Sequence, residues 1–160
     1  MHISFDLDDT LICYGGDDAG CEPRLPWWAR MVLRDEPLRK GTRRLAVELH
    51  RHGHRIWIYT SSGRTVRWIK WWLRLHGVRV EGVINGPMHV KCFGAGSSPS
   101  KRPHAFKIAL HVDNSPGVAI EGEQHGFNVC LVEPSATDWV EQVLTAVDRY
   151  HPTSTSAARA

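Results

Sequence analysis

The chain has 160 residues, 42% of them hydrophobic, with a formal net charge of +3. That is enough for one domain with a real core. No apolar run nears the roughly 20 residues of a membrane helix, and no basic segment leads into an apolar one at the N-terminus, so a cytoplasmic protein without a membrane partner is expected.

Four cysteines, Cys13, Cys21, Cys92 and Cys130, make no Cys-x-x-Cys pair and read as free thiols rather than a zinc site or disulfide framework. Cys13 and Cys21 share one loop, but nothing in the sequence supports a redox-sensitive pair. Charge is unevenly spread. Between Arg39 and Arg79 stand eleven Lys and Arg and a single acid, Glu48, while the remainder is acidic. A basic middle beside an acidic loop favours an anionic substrate.

The first predicted strand is His2–Phe5, and it runs straight into Asp6, Asp8 and Thr10. In an open parallel sheet, chemistry gathers at the carboxyl ends of strands. Two adjacent carboxylates there repel each other and call for a cation, and hard oxygens on a short loop suit Mg²⁺. The plain alternative is a strand followed by an acidic turn.

Residues 12–37 read as a small insertion, with a glycine-rich loop and a short helix from Pro26 to Leu33. Trp27 and Trp28 are expected to pack that helix onto the domain rather than stack on a substrate ring. A helix follows from about Gly41 to His52, with Leu45 and Leu49 on its apolar stripe and Gly53 ending it. His50, His52 and His54 alternate, so a helix cannot aim all three at one metal.

Arg55–Tyr59 is the second strand and delivers Thr60 and Ser61. A hydroxyl and backbone N–H groups at such a turn can hold a phosphoryl oxygen, and Ser61 and Ser62 can also cap the next helix. That helix spans Gly63 to His76. Arg67, Trp71 and Arg74 share one face, which can contact nucleic acid through phosphates and base stacking; a solvated basic face is the plainer reading. Val80–Ile84 is the third strand. Residues 85–100 read as a long loop leading to Lys101, a cation able to bridge the acids and a phosphoryl group. Lys107 competes for that role but is expected to point away. Ile108–Val112 is the fourth strand, ending in Asp113 and Asn114. A helix to about Glu123, a fifth strand Asn128–Val132 and a last helix Ala136–Arg149 complete residues 1–150, and 151–160 read as a disordered tail. The sum is one α/β domain: a Rossmann-like, five-stranded parallel sheet with helices on both faces.

Asp6-x-Asp8-x-Thr10 resembles the first motif of the haloacid dehalogenase-like (HAD) superfamily of phosphohydrolases. Thr60 and Ser61 at the end of the second strand, Lys101, and Asp113 at the end of the fourth strand resemble its other three motifs, in the same order. The likeness spans about residues 2 to 133. One departure is Asn114, where the fourth motif often has a second acid. The resemblance implies a Mg²⁺-dependent phosphomonoester hydrolase with a minimal cap. Asp6 would be the nucleophile and Asp8 the general acid and base. Thr60, Ser61 and Lys101 would hold phosphate. Asp6, the backbone carbonyl of Asp8, Asp113 and Asn114 would hold the metal. A phosphorylated small molecule or a nucleotide is the implied substrate. The alternatives are a phosphotransferase and a catalytically silent adaptor for nucleic acid or protein. A signalling receiver domain fits poorly, because the third strand ends at Ile84 and Asn85 without an aspartate.

Overall fold

The structure, a computed structural model, describes residues 1–14, 20–33 and 36–150. The expected disordered tail, 151–160, and part of the glycine-rich loop lie outside the described residues. The elements in chain order are β1 (His2–Phe5), α1 (Trp27–Leu33), α2 (Thr42–Arg51), β2 (Arg55–Tyr59), α3 (Val66–Leu75), β3 (Gly82–Ile84), α4 (Gly86–Phe93), β4 (Ile108–Asp113), α5 (Pro116–His125), β5 (Val129–Leu131) and α6 (Trp139–Tyr150). A 3-10 turn, Pro103–Phe106, precedes β4.

All strand pairs are parallel, in the order β3-β2-β1-β4-β5. Alternate side chains serve opposite faces. Ile3, Phe5, Ile56, Ile58, Leu110 and Val112 join one large core with Leu45 and Leu49 of α2, Leu73 of α3 and Val143 of α6. On the other face Tyr59, Ile84 and Ile108 pack with Trp57 and Phe106, and Phe93 of α4 meets Phe106 edge-on. Right-handed crossovers impose this division, since the chain winds outward from β1 in one direction and from β4 in the other. The winding reverses between β1 and β4, so the ends of those two strands flank the crevice where open α/β sheets bind ligands.

Several boundaries and packings differ from the sequence reading. Residues 85–100 are not one long loop: Gly86–Phe93 is helical, capped by Asn85, whose side chain accepts from the Met88 backbone N–H at 3.1 Å. The third strand is shorter than expected and begins at Gly82. The helix after Thr60 is capped by Thr65, accepting from Trp68 N–H at 3.2 Å, and not by Ser61 or Ser62. On α1, Ala29 and Leu33 face the domain, while Trp27 and Trp28 remain 72% and 49% exposed. The two tryptophans therefore do not pack this helix down. Among the described residues all four cysteines are free, and no helix is long and apolar enough to cross a membrane.

Candidate active site

Asp6 follows β1 directly, and its backbone N–H still pairs with the Val112 carbonyl of β4, at 2.8 Å. The sheet thus fixes Asp6 beside the end of β4, where Asp113 sits. Both are buried, at 8% and 2% exposure. Lys101 reaches between them from the segment before the 3-10 turn. Its Nζ donates to Asp6 Oδ1 at 2.6 Å and to the Tyr59 carbonyl at 2.8 Å, and lies 3.9 Å from Asp113 Oδ2. Lys101 is itself only 2% exposed. Lys107 is exposed and in a left-handed turn, so Lys101 is the lysine at the acids.

The two carboxylates are driven apart in acidity. Burial pushes Asp6 up, Asp113's charge adds to this, and Lys101 offsets only part of it. Burial would push Asp113 up too, but His111 and Lys101 outweigh it and hold Asp113 below the usual carboxylate range. His111 lies beneath the site, fully buried and kept neutral by that burial. The neutral ring fixes a directed chain: Ser4 Oγ donates to Nδ1 at 2.8 Å, and Nε2 donates to Asp113 Oδ2 at 3.0 Å. The Ser115 N–H donates to Asp113 Oδ1 at 2.9 Å. His111 was missed by the sequence reading; its only signal was a polar residue inside an apolar strand.

Thr60 follows β2 directly and is buried; its Oγ1 accepts from the Ser62 N–H at 3.1 Å, which tightens the turn. Ser61 is exposed on that turn. The turn is braced by Gly86, whose N–H donates to the Ser62 carbonyl at 3.0 Å. A Cβ at Gly86 would stand 2.5 Å from the Ser61 carbonyl oxygen, so only glycine fits without displacing the turn. Behind it, Tyr59 Oη is hydrogen-bonded to His89 Nδ1 at 2.6 Å and accepts from the Arg102 N–H at 3.0 Å, which anchors the segment that carries Lys101.

Asp8 lies further out and is gripped from one side. Arg64 Nη1 donates to both Asp8 oxygens, at 2.9 and 3.2 Å, and the Tyr14 hydroxyl also donates to Asp8. Arg64 in turn is forked onto Glu36, through Nε at 3.1 Å and Nη2 at 2.8 Å. Burial works against the guanidinium's charge, but Glu36 and Asp8 outweigh it and hold Arg64 above its ordinary value. Arg64, Tyr14 and Glu36 were not foreseen as site residues. Asp9, also without a foreseen role, turns the loop: its φ of 56° is the left-handed conformation that aspartate tolerates. Asn114 Oδ1 accepts from Thr10 Oγ1 at 3.2 Å, so the two ends of the crevice are tied together through their side chains.

Among the described residues, no three His, Cys, Asp or Glu side chains converge as a ready-made metal cluster. The donors at the crevice are the Asp6 and Asp113 carboxylates and loop carbonyls. That set still fits Mg²⁺, which binds through one or two carboxylates and leaves the rest of its shell to water and phosphate oxygens.

No protein-family model matches the chain, and no curated protein matches it. Among solved structures, it is similar to the HAD domain of the effector protein Lem4 from Legionella pneumophila, determined as an inactive mutant. The TM-score is 0.54, with 12% identity and 94% of each chain covered. The fold is HAD-like. In this fold Asp6, Thr60 and Asp113 lie at the carboxyl ends of three parallel strands, and Lys101 joins Asp6 and Asp113 there.

Proposed function

We propose that the protein is a Mg²⁺-dependent phosphomonoester hydrolase that works through an aspartyl-phosphate on Asp6. The observation that carries this reading is the buried Asp6–Lys101–Asp113 arrangement at the switch point of a HAD-like sheet. Two buried acids with one lysine keep a net negative charge, and a bound cation would offset it.

In the first step an Asp6 carboxylate oxygen attacks phosphorus, the ester P–O bond breaks, and Asp8 gives its proton to the leaving oxygen. Lys101 already holds Oδ1, and Oδ2 takes no hydrogen bond among the described residues. In the second step water attacks the phosphoryl group, its proton passes to Asp8, and the Asp6–phosphorus linkage breaks to release inorganic phosphate. Lys101, Thr60 and the turn at Ser61 position and neutralise the equatorial oxygens, which is most of what this transition state requires. Asp6, Asp113, the Asp8 carbonyl and Asn114 would hold Mg²⁺, which would supply charge stabilisation to the phosphoryl oxygens.

One observation favours a second reading, a catalytically weak adaptor: both oxygens of Asp8 are engaged by Arg64. The test is phosphate release from an aryl phosphate, with and without Mg²⁺, for wild type and Asp6→Asn. Metal-dependent release that vanishes in the variant supports hydrolysis. Full activity in Asp6→Asn would overturn the mechanism, and no release on any phosphomonoester of a broad panel would leave the adaptor reading.

A further inference from the structure

α3 leaves the active site at Arg64 and runs back along the sheet to its opposite end. Arg67, Trp71 and Arg74 stand three or four residues apart on this helix, Lys70 lies one turn from Arg67 and from Arg74, and all four are exposed. Trp71 is 52% exposed, although Trp72 beside it is fully buried. Lys70 and Arg74 also line a groove of about 630 Å³ with His50, Arg55, Arg79 and Glu81. Glu81 is the groove's single acid, and it is committed to Arg55 at 2.9 Å. Arg67, Arg74 and Arg79 have no carboxylate partner among the described residues. Unpaired cations crowded around a groove raise the potential there and draw in a polyanion.

We infer that this groove and the exposed face of α3 bind single-stranded nucleic acid, with phosphates on Arg67, Lys70, Arg74 and Arg79 and a base stacked on Trp71. The tryptophan decides between polyanions. An acidic peptide needs only the cations and gives no reason to keep an indole in water among them. A base has a π-face for it, and cationic grooves with aromatic platforms suit single strands without sequence preference. The α3 residues involved span about one and a half to two helical turns, roughly 10 Å of axis, a reach suited to a few nucleotides. The site is separate from Asp6, so its occupancy does not depend on the hydrolase reading.

The test is fluorescence anisotropy of a labelled twelve-nucleotide oligo(dT) with the full chain, titrated across NaCl concentration. Four phosphate contacts predict a slope of log K against log salt near −2.8, at about −0.7 per contact. Lys70→Ala/Arg74→Ala should weaken binding at least tenfold at low salt and cut the slope by about 1.4. Trp71→Ala should weaken it at least fivefold, with Trp71→Phe restoring most of the loss. Arg44→Ala, on α2 and paired with Glu141, should bind as wild type, and so should Asp6→Asn, which separates this site from the hydrolase. Apart from buried Asp6, all these positions are exposed, and circular dichroism verifies that each variant is folded. No binding by wild type at low salt, or unchanged binding in Lys70→Ala/Arg74→Ala, overturns the site. Unchanged binding in Trp71→Ala, or equal competition by polyglutamate, overturns nucleic acid as its ligand.

Discussion

Arg64 and Asp8 are 56 positions apart in sequence, yet one guanidinium nitrogen contacts both oxygens of the carboxylate, at 2.9 and 3.2 Å. Glu36 holds the other side of the same guanidinium, so the fork is preset and aims Asp8. Under the proposed mechanism, Arg64→Ala lowers kcat by tenfold or more, about 1.4 kcal/mol of transition-state stabilisation. Arg64→Lys keeps the charge, loses the fork and recovers only part of the rate. Steady-state kinetics on any accepted phosphomonoester separates the roles. A rise in KM with kcat unchanged would mean that Arg64 holds substrate rather than Asp8.

This pair also marks the limit of what was legible in the sequence. Asp6, Thr60 and Asp113 were readable because each ends an apolar strand, and strand ends in a parallel sheet share one edge. Arg64 sits in a turn with no periodicity, and its partners come from two other loops, so nothing local betrays it. α4 escaped for a related reason. Among its residues only His89 is buried, so it carries no apolar stripe, although Asn85 and Pro87 were start signals in plain view. Trp27 and Trp28 were expected to be buried because aromatics usually are, but α1 is seven residues long and turns Ala29 and Leu33 inward instead.

Lys101 is almost completely buried, and each of its acids depends on it. Lys101→Met would leave two carboxylates facing each other without a cation, so unfolding free energy should fall by about 3 kcal/mol. Phosphate release should be lost as well. Asp6→Asn in the same background should restore part of the stability, with a coupling of about 1 kcal/mol or more in a double-mutant cycle. Urea denaturation of the four proteins measures this, and additive effects would mean that the two side chains do not interact.

Gly86 tests the turn that presents Thr60 and Ser61. An alanine Cβ there would press to 2.5 Å from the Ser61 carbonyl, and backbone cannot swing aside as a flexible side chain does. Gly86→Ala should cost about 1–3 kcal/mol of stability and, because the turn must shift, reduce activity more than tenfold. Gly63→Ala is the control, since nothing lies within 4 Å of a Cβ at that position. Equal thermal midpoints and rates for the two variants would show that the approach at Gly86 carries no constraint.

His76, at the end of α3, makes stability depend on pH. The ring packs edge-on against Trp72, with centroids 5.3 Å apart, and neither nitrogen has a hydrogen-bond partner among the described residues. Burial, with Arg43 adding to it, pushes the imidazole down to about 4 from 6.5. The folded protein therefore needs this ring neutral, while the unfolded chain protonates it freely below pH 6.5. Stability is fully present above 6.5, declines as the pH falls from there to about 4, and stops declining below that. By pH 5 the loss from this one group is about 2 kcal/mol. His76→Phe fills the same space without a proton to gain and removes two unsatisfied nitrogens. The variant should exceed wild type modestly at pH 8 and by about 2 kcal/mol more at pH 5. Denaturation curves at the two pH values decide it, and a difference that does not grow on acidification would assign the acid sensitivity to another group.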